Sequence, residues 1–171
     1  ALNGLVSLKT IRNAGDRQTE LIKNWLHDYH QLEIGEKTAE DIKKNVGSAI
    51  KIHSEKFNVT GKNVTDGIPK KIQISTDEIT KALNTAVIDI TEAIKQTLDR
   101  TPPQHSIDIM KNGIILTGGG ALLAGLDIYI RNKTNLPVNV SEDPLLAIVK
   151  GTGMVLNNIK DFNRKGILIN T

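Results

Sequence analysis

The stretch IILTGGGALL, residues 114–123, places three consecutive glycines between a β-branched apolar run and a second apolar run. A strand that passes through glycines into a helix leaves the first backbone N–H groups of that helix unpaired. The helix dipole favours negative charge at that end, and glycine lets a ligand approach the backbone closely. The stretch therefore predicts either an anion-binding loop or a tight turn, and the local pattern favours neither.

The sequence on both sides of the glycines predicts alternating helices and strands. The pattern of apolar residues predicts helices over residues 19–29, 38–47, 75–98, 121–131 and 145–156, with residues 107–110 as a candidate for the last turn of a short helix. Alternating apolar residues, interrupted by Gly and Pro, predict small antiparallel strands between 49 and 74, a short buried strand at 114–116 and another at 136–140. Strand and helix on both sides of a strand-rich insert indicate an α/β fold with an inserted α+β subdomain.

Two candidate capping signals mark helix starts. Thr38 stands three residues before Asp41, which is close to a capping box, and Ser75 stands three residues before Glu78, which matches one. We therefore expect helices to begin near Thr38 and near Ser75. The Thr-Pro-Pro at 101–103 is expected to end the second of these helices.

The two ends of the chain carry strand signals. Asn3-Gly4 between apolar residues is typical of a hairpin turn, yet only two residues precede it. We therefore expect the chain to begin inside a strand, as a piece of a larger protein. Residues 166–169 are a candidate for a last strand.

Composition and charge exclude several classes of function. Hydrophobic residues make up 39%, enough for a core, and no apolar run has the length of a membrane span. The absence of cysteine excludes disulfides and thiol chemistry, which suits a cytoplasmic protein. The net charge of +3 comes from interspersed residues and aromatics are only 3%, so we expect no nucleic-acid binding. The four histidines have no evident third ligand beside them, which predicts no metal site formed by side chains.

A second segment is needed to complete any nucleotide site. The glycines match neither G-x-G-x-x-G nor a P-loop, because no Lys followed by Ser or Thr comes after them. Lys37, Glu40 and Lys43 are spaced to lie near one face of the helix predicted from Thr38. Glu40 could accept hydrogen bonds from ribose hydroxyls, and a lysine could approach a purine or phosphate. An ordinary solvated helix start remains the alternative, and the spacing alone favours it.

Several stretches together resemble the actin, Hsp70 and hexokinase ATPase superfamily, and within it the MreB-like bacterial actins. They occur in family order across nearly the whole chain: IGEKTAEDIK at 34–43, GSA at 47–49, GIPK at 67–70, TPP at 101–103, GIILTGGGALL at 113–123, EDP at 142–144 and GTG at 151–153. Any one of these is weak alone, whereas the ordered set is specific.

The resemblance implies the second half of an actin-like, ribonuclease H-like ATPase fold. Residues 1–33 and 81–171 would form the nucleotide-contacting subdomain IIA, truncated at its N-terminus, and residues 34–80 the inserted α+β subdomain IIB. Both phosphate loops and the water-positioning carboxylate of the family would precede this chain. The resemblance thus implies no catalytic residue here, a weak ATPase in the full-length protein and an inactive fragment in isolation.

The resemblance also implies which residues contact ATP or ADP. Gly118, Gly119, Gly120 and Ala121 would line the nucleotide with backbone amides. Residues of the insert would contact ribose and base: Lys37, Glu40, Asp41, Ile42 and Lys43. Mg²⁺ would be held by the nucleotide phosphates and water rather than by this chain.

The function implied is that of a cytoskeletal protein whose filaments determine cell shape, or motility in wall-less cells. Its partners would be further copies in a protofilament, the membrane surface and membrane-anchored shape or motility proteins, with filaments in the cytoplasm at the membrane. The alternative within the superfamily is a non-polymerising ATPase such as an Hsp70-type chaperone or a sugar kinase. No β-domain or helical lid follows GTG, and the size of the insert matches the MreB type, so the filament interpretation is favoured.

Overall fold

A computed structural model describes residues 5–12, 15–51 and 55–164 of the chain. The predicted Asn3-Gly4 hairpin, His53 and the predicted strand at 166–169 lie outside these residues. The first half contains α1 (Gly15–His30), β1 (Leu32–Glu33), α2 (Glu36–Val46), β2 (Lys56–Asn63) and β3 (Pro69–Ser75). The second half contains α3 (Thr76–Asp99), α4 (Ser106–Asn112), β4 (Ile114–Leu116), α5 (Leu126–Thr134), β5 (Val138–Val140), α6 (Ala147–Asn157) and α7 (Ile159–Arg164).

The first three strands form an antiparallel sheet in the order β1-β2-β3. Val59 pairs with Ile72 and Phe57 with Ile74, so apolar residues from both strands lie on the same face. That face packs into the core with α1 and α2, because Val59 and Ile74 are buried. The antiparallel strands predicted from the alternation are confirmed, although Ile50 lies outside them.

The long helix α3 begins where the Ser75-Glu78 signal predicts. The Glu78 amide donates to the Ser75 hydroxyl at 3.4 Å, and the Ser75 amide donates to the Glu78 carboxylate at 2.8 Å, which completes a capping box. Ile79, Leu83 and Val87 follow at helical spacing and are fully or almost fully buried. The helix ends at Asp99, just before the two prolines.

The second candidate cap is wrong. Helix α2 begins at Glu36, with Gly35 as its N-cap and no side-chain capping bond. The first helical bond runs from the Ala39 amide to the Gly35 carbonyl at 3.1 Å. Thr38 is therefore already inside the first turn, and the extended backbone at Gly35 starts the helix two residues earlier than expected.

The glycine segment lies in a parallel strand pair. Ile114, Ile115 and Leu116 of β4 pair in register with β5, which confirms both predicted strands. The strand β4 is not buried as predicted, because the side chain of Ile115 is 69% exposed. Helix α6 likewise has no buried residue in the part of the chain that the structure describes, although its sequence is strongly apolar.

The helix predicted over residues 121–131 is also wrong in its start. A single 3-10 turn covers Gly119–Leu122, and the α-helix α5 begins only at Leu126. Its N-cap, Gly125, has a positive φ of 71°, and any Cβ there would collide with the side chain of Ile50. The glycines therefore do not lead directly into an α-helix.

The predicted boundaries between subdomains IIA and IIB, at residues 34 and 80, do not coincide with breaks in the secondary structure. Strand β1, on the N-terminal side of the first boundary, pairs with β2 through Leu32 and Glu33. Helix α3 likewise runs through residue 80 without a break. The assignment of residues 34–80 as a separate subdomain IIB stays a prediction.

Glu78 gives the fold a testable dependence on pH. Burial raises the pKa of Glu78, but hydrogen bonds from the Ser75 amide and hydroxyl and from His30 outweigh it, so the pKa lies below its ordinary value. Its carboxylate accepts from the Ser75 amide at 2.8 Å and contacts His30 Nε2 at 2.7 Å. Because the pKa of Glu78 is lower in the folded than in the unfolded chain, its ionised carboxylate stabilises the fold at any pH above the unfolded-state pKa. This contribution is lost as the pH falls through the folded-state pKa.

We expect Glu78→Gln to lower the free energy of unfolding by about 1 kcal/mol at pH 7, because the cap and the contact with His30 are weakened. The difference from the parent chain should shrink as the pH falls below the ordinary pKa of a glutamate and vanish below the lowered pKa of folded Glu78, where the carboxyl group is protonated in both the folded and the unfolded chain. Urea unfolding followed by the fluorescence of Trp25 measures both values. Glu92→Gln, which disrupts an exposed pair with Lys95, should have little effect at either pH. An equal loss at pH 3 and pH 7 for Glu78→Gln would contradict the assignment.

Candidate functional site

The loop after β4, residues 117–121, is called here the glycine loop. Its start is fixed from one side: the Gly118 amide donates to the Pro144 carbonyl at 2.8 Å, and the Thr117 hydroxyl donates to the same oxygen at 3.2 Å. Gly118 has a φ of 81°, which an L side chain rarely adopts. The turn that redirects the chain after β4 therefore requires glycine at position 118.

The next two amides of the glycine loop are available for a ligand. The Ala121 amide donates to the Gly118 carbonyl at 3.1 Å and closes the 3-10 turn. The N–H groups of Gly119 and Gly120 precede that bond, and neither has an acceptor among the residues that the structure describes. Two adjacent unpaired donors on an exposed backbone can bind an anionic or carbonyl oxygen.

Packing within the protein does not account for glycine at positions 119 and 120. A Cβ at Gly120 would meet no described atom within 4 Å, and one at Gly119 would meet only Leu145 Cδ2 at 3.5 Å, an ordinary contact. Gly113, at the other end of β4, differs, because a Cβ there would collide with the backbone of Pro137. The space beside Gly119 and Gly120 is open, as a site for close approach of a ligand to the backbone requires.

The donors come from a 3-10 turn rather than from an α-helix. Helix α5 begins at Leu126, and its N-cap packs against Ile50. The positive end of its dipole therefore does not lie at the glycine loop. The dipole of α5 therefore does not act on the amides of the glycine loop. What remains is the pair of free amides and the absence of side chains around them.

Helix α2 carries the second group of predicted site residues. Lys37 and Asp41 are exposed, and Glu40 pairs with Lys44 at 3.1 Å. The hydrogen bond from Lys44 and the charges of Lys44 and Lys43 hold the pKa of Glu40 below its ordinary value. The Glu40 carboxylate is thus ionised at neutral pH and acts only as a hydrogen-bond acceptor.

Two of the predicted site residues of α2 form contacts within the protein. The side chain of Ile42 is 5% exposed and belongs to the core. The Lys43 ammonium donates at 3.0 Å both to the Gly15 carbonyl and to the Thr19 hydroxyl, where it links α2 to the start of α1. Helical spacing could not reveal this role, because the partners lie 24 and 28 residues away along the chain.

The chain after α2 meets the chain after the glycine loop. Ser48 and Ala124 form a parallel bridge, in which the Ala49 amide donates to the Ala124 carbonyl at 2.8 Å. The buried Ser48 hydroxyl donates to the Ile50 carbonyl at 2.7 Å and lies 3.1 Å from the Ala124 carbonyl. The C-terminal end of α2 and the end of the glycine loop are therefore joined through residues that neither motif contains.

Two surface cavities lie elsewhere on the described residues. One of about 570 Å³ lies between the end of α5 and the start of β5, where Arg131 and Asn135 line it, and one of about 360 Å³ lies between residues 9–12 and α3. No residue of the glycine loop or of α2 lines either cavity. Within the described ranges, no cluster of three or more His, Asp or Glu side chains could hold a metal ion. No helix there is long and apolar enough to cross a membrane.

The parallel strand pair with its glycine loop, joined to an antiparallel α+β unit, matches the fold of actin-like proteins of known structure. The crystal structure of MreB5 of Spiroplasma citri bound to ADP superimposes with a TM-score of 0.87 at 34% identity, covering 93% of this chain and 49% of that one. The MamK double helical filament superimposes with a TM-score of 0.66 over 80% of this chain and 42% of that one, and at 22% identity it supports the fold alone.

The family follows from the sequence match. The MreB/Mbl protein family model matches residues 1–164, and the chain belongs to this family. It is 37% identical to the cell shape-determining protein Mbl of Bacillus cereus over 98% of this chain and 50% of that protein. It is 38% identical to the cell shape-determining protein MreB of Escherichia coli over 93% of this chain and 46% of that protein. The chain thus spans about half the length of the curated relatives it matches.

Lys43 can be tested as a structural residue in the absence of any ligand. We expect Lys43→Met to lower the free energy of unfolding by about 1–2 kcal/mol, because two hydrogen bonds from a charged donor are lost. Lys44→Met, in the same helix but with an exposed side chain, should change it by less than about 0.5 kcal/mol. Urea unfolding of both variants gives the comparison. Equal effects of the two substitutions would exclude a structural role for the contacts of Lys43 with α1.

Proposed function

We propose that this chain is the nucleotide-contacting part of an actin-like cytoskeletal protein that binds ATP or ADP and forms filaments that determine cell shape. The observation that carries the proposal is the pair of unpaired amides at Gly119 and Gly120, on an open backbone in a chain of the MreB/Mbl family. The relatives compared above are cell shape-determining and filament proteins, whereas neither a chaperone nor a sugar kinase is among them. The structures of MreB5 of Spiroplasma citri bound to ADP and to AMPPNP support the choice of ligand.

The two candidate segments would divide the nucleotide between them. The amides of Gly119 and Gly120, with Gly118 and Ala121 on either side, would donate to oxygens of the ligand. The ionised carboxylate of Glu40 would accept hydrogen bonds from ribose hydroxyls, with Lys37 and Asp41 exposed on the same helix. Ile42 would act through the backbone, because its side chain lies in the core. Lys43 could contact the ligand only if its ammonium group broke its hydrogen bond to the Gly15 carbonyl or to the Thr19 hydroxyl.

The donors of the glycine loop do not fit a metal ion, because N–H groups repel a cation. Mg²⁺ would therefore be bound through the phosphates and water, and it would supply charge neutralisation there. In this proposal residues 34–80 form subdomain IIB and the flanking segments form subdomain IIA. Further copies of the protein are the proposed partners, and filaments on the cytoplasmic face of a membrane are the proposed location.

Gly119 gives the sharpest test of the site. We expect Gly119→Val to abolish ATP binding by the intact protein that carries this chain, because the added carbons occupy the space beside the free amides. Its stability without nucleotide should stay within about 1 kcal/mol of the parent, since the contact with Leu145 is ordinary and the backbone needs no positive φ.

Titration with a fluorescent ATP analogue measures the affinity, and thermal unfolding without nucleotide provides the control. Gly119→Ala should give a smaller loss, because it adds one carbon. Unchanged affinity of the Val variant, in a protein that binds nucleotide, would contradict the assignment of the glycine loop.

Filament formation is tested by sedimentation of the intact protein with ATP and with ADP. We expect the protein to pellet in at least one nucleotide state above a critical concentration, since filaments assemble head to tail through a repeated contact. Electron microscopy of the pellet distinguishes filaments from aggregates. A protein that stays in the supernatant under every condition would favour the non-polymerising alternative.

A further inference from the structure

The glycine loop makes few packing contacts at its glycines, and within it only Ala121 is buried. Cβ atoms at Gly118 and Gly120 would meet nothing within 4 Å, so the loop makes few packing contacts at these positions. Each residue ordered in a single backbone conformation costs about 1–2 kcal/mol of conformational entropy. The contacts that fix the loop must therefore come from neighbouring segments.

The segment after β5 supplies those contacts. The Ser141 amide donates to the Leu116 carbonyl at 3.0 Å and continues the strand pairing up to the loop. Beyond it, the Pro144 carbonyl accepts from both the Gly118 amide and the Thr117 hydroxyl. Among the described residues, the hydrogen bonds that tie the loop to another segment thus converge on one carbonyl oxygen.

The position of that carbonyl depends on how α6 begins. The Asp143 carbonyl accepts from the amides of Leu146 and Ala147, at 3.0 and 2.8 Å, and so starts the helix. The Asp143 carboxylate forms an ion pair with the ammonium of Lys150, in the second turn of α6. Because α6 has no buried residue in the described part of the chain, packing contributes little to fixing its start.

We propose that Asp143 and Lys150 are positioning residues for the glycine loop. Their ion pair holds the start of α6 against the segment that carries Pro144, and the Pro144 carbonyl in turn orients Gly118 so that the amides of Gly119 and Gly120 face the ligand. This inference rests on the proposed nucleotide site and adds two residues to it that do not contact the nucleotide. Both side chains are about half exposed, so the pair acts through geometry and is sensitive to salt.

The test uses nucleotide titrations of the intact protein with single and double variants. We expect Lys150→Met and Asp143→Asn each to weaken ATP binding by about two- to fivefold, the range open to an exposed ion pair. The double variant should lose no more than either single variant, because both remove the same interaction. Lys150→Arg and the exchange of Asp143→Lys with Lys150→Asp should restore most of the affinity.

Two controls separate positioning from a general loss of structure. Lys95→Met removes an ion pair of similar exposure on α3, remote from the loop, and should leave ATP affinity unchanged. The ratio between the affinities of the parent and Lys150→Met should approach one in about 1 M salt, where an exposed pair is screened. A variant that was merely less folded would keep its deficit in salt and would not be restored by Lys150→Arg.

The outcomes distinguish this inference from the proposed function on which it rests. If the parent protein binds no nucleotide, the proposed function fails. If the parent binds and both single variants bind equally well, or if the losses in the double variant add, the role of Asp143 and Lys150 is refuted while the site at Gly119 stands.

Discussion

Burial of one face of α3 (Thr76–Asp99) joins the two sheets of this chain. Ile79, Leu83 and Val87 lie in a single core cluster with residues of α1 and the antiparallel sheet. The same cluster contains Ile130 of α5 and Val138 of β5, which belong to the parallel pair. Each such side chain contributes about 1.5–3 kcal/mol when it leaves water, so this face is the main attraction between the two parts of the fold.

The candidate site depends on that core without being part of it. Helix α3 fixes α5, and α5 fixes the segment around Ala124, which bridges to Ser48 at the end of α2. The end of α2 and the end of the glycine loop are thereby linked through Ser48, Ala49 and the Ala124 carbonyl, while the functional groups of both segments stay at the surface. This arrangement suits ligand binding, because the core around α3 supports the glycine loop while the amides of Gly119 and Gly120 stay accessible.

The sequence correctly predicted those helix starts and strands that depend on interactions between neighbouring residues. The capping box of Ser75 and Glu78 and the strands around the glycines follow from neighbouring residues, and the structure confirms them. The prediction that α2 begins near Thr38 is wrong because Gly35, with an extended backbone, is the N-cap; glycine is also a favoured N-cap residue, but the Thr38-Asp41 spacing gave the stronger signal. The glycines were expected to open an α-helix. The contact of Gly125 with Ile50, 75 residues earlier, instead sets where α5 begins.

The family resemblance was identified from the sequence, whereas the contacts that hold the site were not. The contacts of Lys43 with Gly15 and Thr19, and the bond from Gly118 to Pro144, join positions at least 24 residues apart and leave no periodic trace. Spacing shows which residues share a helix face, but it does not show which of them the fold itself uses.

Stability is distributed unevenly over this chain, and the candidate site lies in its weaker part. The region around α3 has fully buried side chains, whereas α6 has no buried residue among those described and only Ala121 of the glycine loop is buried. Local opening is expected where few apolar contacts and many exposed hydrogen bonds coincide. A ligand that pairs the amides of Gly119 and Gly120 would lower the free energy of the closed loop relative to its open forms. Binding would therefore stabilise the closed glycine loop, which the Pro144 carbonyl links to the segment just before α6.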